Sequence, residues 1–190
     1  QHYAGLGRRA LAVPTGGSDG IGAWGYIAAC QELAADFVAH GIEEAHIVTA
    51  SGSGGTQAGL TLGAALYQLP AVVWGINVCD DEQYFLDKVA ADAADWRRRY
   101  PGVPAVEVQP SVIDGYVGQG YGIADESVFS LIAELAALEG LVLDPVYTGK
   151  AFAGMLAEIA GGRFEGCRDI VFVHTGGIFG LFPQRGGFSW

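Results

Sequence analysis

One glycine-rich turn limits the fold of this chain more than any other part of its sequence. The turn covers residues 51–59, SGSGGTQAG, between an apolar run at 46–50 and a helix-like run at 60–67. This order predicts a strand, a tight turn and a helix. Such a turn gathers backbone N–H groups at a helix N-terminus, where they can hold a phosphate. Glycines let the anion approach closely, and the Ser and Thr hydroxyls are additional donors. The sequence therefore predicts a site for a phosphorylated small molecule.

The charge of the chain excludes several classes of partner. The net charge is −11 over 190 residues, which argues against nucleic acid and against an anionic membrane surface. Glu134 and Glu139 interrupt the longest apolar stretch, so we expect no membrane span. Cys30, Cys79 and Cys167 are far apart and odd in number, without metal-ligand spacing. We expect buried free thiols in a reducing cytoplasm and no metal.

Strand-like and helix-like segments alternate along the chain. The predicted strands are 11–14, 45–50, 71–78, 103–108 and 169–174, and the predicted helices are 21–39, 60–67, 81–100, 126–138 and 148–160. Short connections between alternating elements predict an α/β fold, with a three-layer arrangement in which helices cover both faces of a parallel sheet. Ligands of such sheets bind at the carboxyl ends of the strands. The turn at 51–56 and a second glycine motif at 175–177 both follow strands.

The turn alone leaves several ligands open. It could serve a dinucleotide, a sugar phosphate or pyridoxal phosphate, or it could be only a tight turn. It lacks the usual G-x-G-x-x-G form, and Asp80 is the nearest acidic residue that could hold a ribose. No G-K-[ST] follows it. A nucleotide-binding domain of an oxidoreductase therefore stays an alternative at this point.

Three further clusters carry polar or aromatic side chains at expected loops and helix starts. They are residues 144–150 (DPVYTGK), 174–177 (HTGG) and 116–122 (YVGQGYG). Tyr147 falls at a predicted helix N-terminus on the carboxyl-end rim, although it could equally be a core tyrosine. Thr175 could bond a ring nitrogen or only cap the segment after it. An aromatic residue in the glycine loop could contact substrate or anchor the loop.

In this order the clusters resemble the D-cysteine desulfhydrase / 1-aminocyclopropane-1-carboxylate deaminase family. The resemblance is carried by residues 51–59, 120–122, 143–150 and 174–177. The opening at 13–18, with Gly22-Ala23 and Gly25-Tyr26 after it, also fits. It covers essentially the whole chain. It implies the tryptophan-synthase-β-like fold and pyridoxal 5′-phosphate (PLP) as the cofactor. The cofactor-binding residues that it implies are Gly52, Ser53, Gly54, Gly55, Thr56, Tyr147 and Thr175, and the catalytic ones are Tyr121, Tyr147 and Thr148.

The resemblance also favours one reaction. Deaminases of the family typically carry Glu and Leu where this chain has Thr148 and Thr175. A neutral hydroxyl beside the ring nitrogen leaves that nitrogen unprotonated, which suits β-elimination of a good leaving group. We therefore expect conversion of D-cysteine to pyruvate, ammonia and hydrogen sulfide. An L-cysteate sulfo-lyase and a 1-aminocyclopropane-1-carboxylate deaminase are the alternatives.

The lysine content points to an incomplete enzyme. The chain has only Lys88 and Lys150, and the family's Schiff-base lysine matches neither position. The resemblance implies that this lysine lies in an N-terminal part absent from the chain. We therefore expect residues 1–190 to be the C-terminal part of the enzyme, mainly the large cofactor-binding domain, with exposed apolar surface and no activity alone. Expected partners are the N-terminal part, a small amino-acid substrate and a second copy in a homodimer; an inactive phosphate-binding fragment is the alternative of another class.

Overall fold

Four parallel strands form the central sheet of the computed structural model, which describes residues 2–188. Residues 1, 189 and 190 of the predicted domain lie outside that range. The strands are β1 (Ala45–Ser51), β2 (Ala71–Asn77), β3 (Ser111–Ile113) and β4 (Asp169–Phe172). Their order is β3-β2-β1-β4, and each neighbouring pair is parallel. Because β1 and β4 are neighbours, the segments that follow them meet at one edge of the sheet.

Helices cover both faces of this sheet. The α-helices of the described residues are α1 (His2–Gly5), α2 (Trp24–His40), α3 (Gly55–Leu66), α4 (Glu82–Arg99), α5 (Glu126–Glu139) and α6 (Thr148–Ala160), of which α1 is exposed and outside the core. Ile47 of β1 packs in one core cluster with Leu60 of α3, whereas Val48 packs in another with Met155 of α6. Successive strand residues point to opposite faces, so α3 and α6 lie on opposite sides. The predicted three-layer α/β fold is confirmed.

The helix after the glycine turn begins earlier than expected, at Gly55 rather than at residue 60. Glycines usually disfavour a helix interior, but here they allow α2 to approach closely. A Cβ atom on Gly59 would lie 2.6 Å from the Ala23 carbonyl oxygen, and one on Gly63 would lie 2.7 Å from Cys30 Sγ. Close packing against α2 therefore outweighs the low helix propensity of these glycines.

Two strand predictions were wrong. Residues 11–14 are irregular and exposed, with Leu11 90% exposed, because no strand of the described residues lies beside them to complete their hydrogen bonds. Residues 103–108 form no strand either, and β3 starts later, at Ser111. Val103, Val106 and Val108 pack instead against the cluster around Trp96. Their apolar pattern reflects contact with helices and not membership of the sheet.

The last strand was predicted in the right place, at 169–174, although the sequence favoured a buried strand there. β4 ends at Phe172, and all four of its residues are only partly buried, because it is an edge strand. Large apolar side chains are exposed in the segment that follows it, notably Phe179 and Phe182. In the part of the chain that the structure describes, no helix is long and apolar enough to cross a membrane.

Candidate active site

The glycine turn forms a cradle of backbone donors between β1 and α3. Gly54 has φ of +84°, in the left-handed region that favours glycine, and this reverses the chain between strand and helix. A Cβ atom at Gly54 would also lie 2.9 Å from Lys88 Cγ. Within residues 2–188, no acceptor pairs with the backbone N–H groups of Ser53, Gly54 or Thr56. Unpaired donors at a helix N-terminus suit an anion.

A second turn, at residues 15–18, lies against this cradle. Ser18 Oγ donates to Ser53 Oγ at 2.8 Å and accepts a hydrogen bond from the Gly55 N–H at 3.1 Å. A Cβ atom on Gly16 would collide with Ser53 Oγ, so the two turns are in direct contact. Ser and Asp are residues that commonly cap helices, and both positions at this turn, Ser18 and Asp19, accept backbone N–H hydrogen bonds here. Asp19 caps the turn that leads into α2, whereas Ser18 caps α3.

The carboxylate of Asp144 builds the N-terminus of α6. It is fully buried and accepts hydrogen bonds from the backbone N–H groups of Val146, Tyr147 and Thr148, at 2.8–2.9 Å. A carboxylate that accepts several N–H bonds strongly favours this local geometry. A Cβ atom on Gly177 would lie 2.5 Å from Asp144 Oδ1. Asp144 therefore fixes the start of α6 and lies against the segment after β4.

Tyr147 and Tyr121 meet at the carboxyl edge of the sheet. Their hydroxyl groups form a hydrogen bond, and their ring centroids are 5.9 Å apart. Gly52 lies beneath Tyr147, since a Cβ atom there would be 2.8 Å from Cε1 of the ring. Burial, followed by the hydrogen bond to Tyr121, raises the pKa of Tyr147 to about 12. Tyr147 is therefore a neutral phenol that can donate a hydrogen bond at physiological pH.

One cavity joins these parts. It has a volume of about 590 Å³ and is lined by Thr15, Gly16, Tyr26, Ala50, Gly52, Ser53, Thr56, Cys79, Tyr121, Tyr147, Thr175, Gly176 and Gly177. None of these lining residues has a charged side chain, so a bound phosphate would be held by dipoles and hydroxyl groups. This volume is adequate for a cofactor with a small substrate.

Most of the predicted site residues line this cavity, and three do not. Gly54 and Gly55 belong to the turn and to the start of α3, but they do not line the cavity. Thr148 is fully buried, and its hydroxyl donates to Asp144 Oδ1 and accepts from the Asp144 N–H. The position of Thr148 indicates that it holds the start of α6 in place. We assign it no contact with a ligand.

Sequence reasoning missed several lining residues. Tyr26 comes from α2, and Cys79 follows β2, where its thiol donates to the Gly52 carbonyl oxygen at 3.3 Å. Burial, followed by the charge of Asp80, raises the pKa of the Cys79 thiol. Tyr26 fits the family resemblance together with Gly25, but the sequence assigned it no role, and Cys79 lies in no motif. The only available signal was that Cys79 follows a predicted strand at the binding edge.

Neither lysine of the chain lines the cavity. The Lys88 ammonium forms an ion pair with Asp92 and donates to the Ser18 carbonyl oxygen. Lys150 is buried and donates to the carbonyl oxygens of Val117 and Gly120. Among residues 2–188, no group of three or more His, Cys, Asp and Glu side chains could hold a metal ion.

Comparison with known proteins identifies the class. Residues 4–176 match the family described as pyridoxal-phosphate dependent enzymes, and the chain belongs to this family. The crystal structure of a 1-aminocyclopropane-1-carboxylate deaminase homologue superposes with a TM-score of 0.84 at 36% identity. That superposition covers 95% of this chain and 53% of the homologue. The predicted fold and its cofactor class are confirmed.

Two relatives whose names state an enzymatic activity are equally similar to the chain, at 37% identity. The D-cysteine desulfhydrase of Klebsiella pneumoniae (strain 342) is 37% identical over 183 residues, which are 94% of this chain and 54% of that protein. The bifunctional D-cysteine desulfhydrase/1-aminocyclopropane-1-carboxylate deaminase, mitochondrial, of Arabidopsis thaliana is 37% identical over 182 residues, covering 94% and 44%. The chain thus spans about half the length of these relatives.

The residues present fit PLP. The unpaired N–H groups of Ser53, Gly54 and Thr56 match the need of its phosphate for donors. Tyr147 and Thr175 line the same cavity, and the Thr175 hydroxyl, which follows β4, has no partner among the described residues. We infer that the N–H groups of the turn would hold the phosphate, and that Tyr147 and Thr175 would hold the ring.

Proposed function

We propose that this chain provides the phosphate cradle and the tyrosine pair of a PLP-dependent carbon–sulfur lyase that acts on D-cysteine. One observation carries the proposal: a single uncharged cavity joins the donors at Ser53 and Thr56, the Tyr121–Tyr147 pair and Thr175. The names of both relatives include D-cysteine desulfhydrase, which supports the same substrate class.

The reaction balances with water as the only co-reactant. D-cysteine loses its β-sulfur with the bonding electrons, and the sulfur takes a proton to leave as hydrogen sulfide. Water then supplies the ketone oxygen, so that the products are pyruvate and ammonia. When bound, PLP supplies a ring that delocalises the negative charge left at Cα after the α-proton is removed.

The residues of this chain bind the cofactor and orient the substrate. The backbone donors of the turn would hold the phosphate, and the neutral Thr175 hydroxyl could offer the ring a hydrogen bond without a charge. The phenol of Tyr147 stays protonated because its pKa is raised to about 12. Tyr147 can therefore donate a hydrogen bond to the substrate carboxylate or to the departing sulfur, and the hydroxyl of Tyr121 can do the same.

We propose that the lysine that carries the cofactor belongs to a part of the enzyme outside these 190 residues. Both Lys88 and Lys150 already have partners away from the cavity, which supports this assignment. The chain alone would then bind phosphate without catalysing elimination. A homodimer of the complete enzyme is part of the same proposal.

Deamination of 1-aminocyclopropane-1-carboxylate is the second candidate. The Arabidopsis relative is named for both activities, D-cysteine desulfhydration and 1-aminocyclopropane-1-carboxylate deamination. This supports the second activity as a candidate for the present chain. Thr175, which lines the cavity where deaminases of the family typically carry Leu, favours the desulfhydrase.

The first experiment tests the cradle without the lysine. Pyridoxamine 5′-phosphate has no aldehyde, so its binding to the 190-residue chain reports only on the phosphate and ring contacts. We expect binding that is lost with pyridoxamine, which lacks the phosphate. Gly54→Ala should weaken binding by at least about tenfold, since the left-handed turn is strained by a side chain. Gly102→Ala is the matched control, because a Cβ atom there meets nothing within 4 Å.

The second experiment tests the reaction. The complete enzyme is assayed for sulfide and pyruvate from D-cysteine, with L-cysteate and 1-aminocyclopropane-1-carboxylate as competing substrates. Borohydride reduction of the loaded enzyme, followed by mass spectrometry, locates the modified lysine. Turnover by the 190-residue chain alone, or an adduct at Lys88 or Lys150, would contradict the proposed division of the site.

A further inference from the structure

Lys150 is a buried cation that the proposed chemistry leaves without a role. It lies in the first turn of α6 and is only 3% exposed. Among the described residues no carboxylate forms an ion pair with it. Burial lowers the pKa of its ammonium, an effect that the charge of Asp125 partly offsets. Because a buried charge without a counter-ion is costly, its position requires an explanation.

The partners of Lys150 are two carbonyl groups on either side of the segment that leads to Tyr121. Its Nζ donates to the Val117 oxygen at 2.6 Å and to the Gly120 oxygen at 2.8 Å. Both acceptors belong to the loop at residues 116–122, and Gly120 directly precedes Tyr121. The ammonium thus fixes the backbone that carries the Tyr121 side chain.

That loop needs an external support. Gly118, Gly120 and Gly122 all have positive φ, at +67°, +143° and +74°, and glycine-rich backbone has high conformational entropy when free. Tyr121 itself is 58% exposed, so packing holds it weakly. Without a fixed backbone, the Tyr121 hydroxyl would not stay against Tyr147.

Helix α6 supports the other end of the loop as well. Tyr116 donates to Glu158 Oε1 at 2.7 Å, and its ring covers Gly154, where a Cβ atom would lie 2.9 Å from Cγ of the ring. Tyr147 immediately precedes the first residue of α6. One rigid helix therefore sets the positions of both tyrosines, an arrangement that gives a site its precision.

We propose that Lys150 is a positioning residue, which fixes the 116–122 loop so that Tyr121 meets Tyr147 at the cavity. The catalytic meaning of this contact rests on the proposed function, but the positioning itself does not. A residue that only stabilised α6 would act on the helix and not selectively on the loop. The two roles therefore predict different results.

The test replaces Lys150 by Met, which keeps the length of the side chain but removes the charge and the donors. We expect the backbone amide of Ile123, which donates to the Gly120 carbonyl oxygen at 3.2 Å, to exchange hydrogen roughly tenfold faster, because the loop opens locally. Exchange in α6 beyond residue 152 should be unchanged, and the Tm should not fall, since an unpaired buried charge has been removed. Arg98→Ala, on an exposed side chain, is the control.

A second readout follows the tyrosine contact directly. In an ultraviolet titration, Lys150→Met should lower the pKa of Tyr147 as Tyr121→Phe does, because both variants remove the same hydrogen bond. Lys150→Gln, which retains a shorter donor, should fall between wild type and Lys150→Met in both readouts. If Lys150→Met fails to fold, the Gln variant must still show selective loop exchange.

Two results would overturn the proposal. One is unchanged exchange in the loop together with an unchanged Tyr147 titration. The other is loss of protection in α6 and in the loop to the same extent, with a lower Tm. Neither readout uses PLP or turnover, so a failure of the lyase assay would leave this test unaffected.

Discussion

The hydroxyl groups of Tyr121 and Tyr147 form a hydrogen bond across a sequence separation of 26 residues. The first residue belongs to a glycine loop and the second to the start of α6, so the contact joins two segments at the mouth of one cavity. Both phenols can donate, and each can orient the other. The pair is the part of the site whose state can be measured without any ligand.

Tyr121→Phe should lower the pKa of Tyr147. The raised value of about 12 arises first from burial and then from the hydrogen bond to Tyr121. Removing the second cause should leave a pKa between about 10 and 12. Ultraviolet titration near the phenolate band measures it, with Tyr147→Phe identifying the transition. A Tyr147 titration that does not change in Tyr121→Phe would show that the hydrogen bond is absent in solution.

Stability should decline at alkaline pH through two tyrosines. The pKa values of Tyr147 and Tyr116 are both raised to about 12, the second by burial and then by its hydrogen bond to Glu158. The folded state therefore prefers the neutral phenols. Their contribution is fully present below the unfolded pKa of about 10 and is lost as pH rises through about 12. Urea unfolding at pH 8 to 11.5 measures the decline, and Tyr116→Phe should flatten it. An equally steep decline in Tyr116→Phe would exclude Tyr116 as a cause.

Ser18→Ala should weaken both the fold and the cradle. Its hydroxyl caps the Gly55 N–H at the start of α3 and donates to Ser53, so its loss should lower the free energy of unfolding by about 1 kcal/mol. Binding of pyridoxamine 5′-phosphate should weaken as well, since Ser53 loses its support. Ser127→Ala, at an exposed position in α5, is the control for chemical denaturation. Equal effects of the two variants would contradict the capping role.

Asp144→Asn should be one of the most damaging single-atom changes. The carboxylate accepts from three backbone N–H groups and from the Thr148 hydroxyl, whereas an amide would direct its NH₂ group at some of these donors. We expect a loss of about 2–4 kcal/mol in the free energy of unfolding. Asp36→Asn, on the exposed face of α2, should change it by less than about 0.5 kcal/mol. A loss at Asp144 no larger than at Asp36 would refute this assignment.

The local parts of the site could be predicted from the sequence. The order strand, glycine turn and helix placed Ser53 and Thr56 correctly at the carboxyl edge, and the predicted start of α6 at Thr148 agrees with the structure. These features depend on residues close to one another in the chain, where turn and helix-start preferences act directly.

The long-range parts could not be predicted. The bond between Ser18 and Ser53 spans 35 residues, and the contact of Lys150 with Val117 spans 33. The sequence also suggested a catalytic role for Thr148, because it follows Tyr147 directly. A hydroxyl at that position is equally suited to pair with a buried carboxylate, and it pairs with Asp144. Only the packing of α6 determines which of these roles is realised.

Gly75→Ala tests how the buried Gln57 side chain packs across the strands of the sheet. The Gln57 side chain, fully buried, accepts from Ser51 Oγ at 2.7 Å and donates to the Ser111 carbonyl oxygen at 2.8 Å, so it spans from β1 to β3 over β2. Gly75 of β2 lies under this side chain, and a Cβ atom there would overlap Gln57 Oε1.

Because the amide cannot move without leaving buried polar groups unpaired, Gly75→Ala should lower the free energy of unfolding by about 2–4 kcal/mol. Gln57→Ala in the Gly75→Ala background should add less than it does alone, since the overlap has been relieved. Gly102→Ala is again the control, at an open position. Fully additive effects at Gly75 and Gln57 would show that the two residues are not in contact, and the phosphate turn, which begins beside Ser51, would then lack this support.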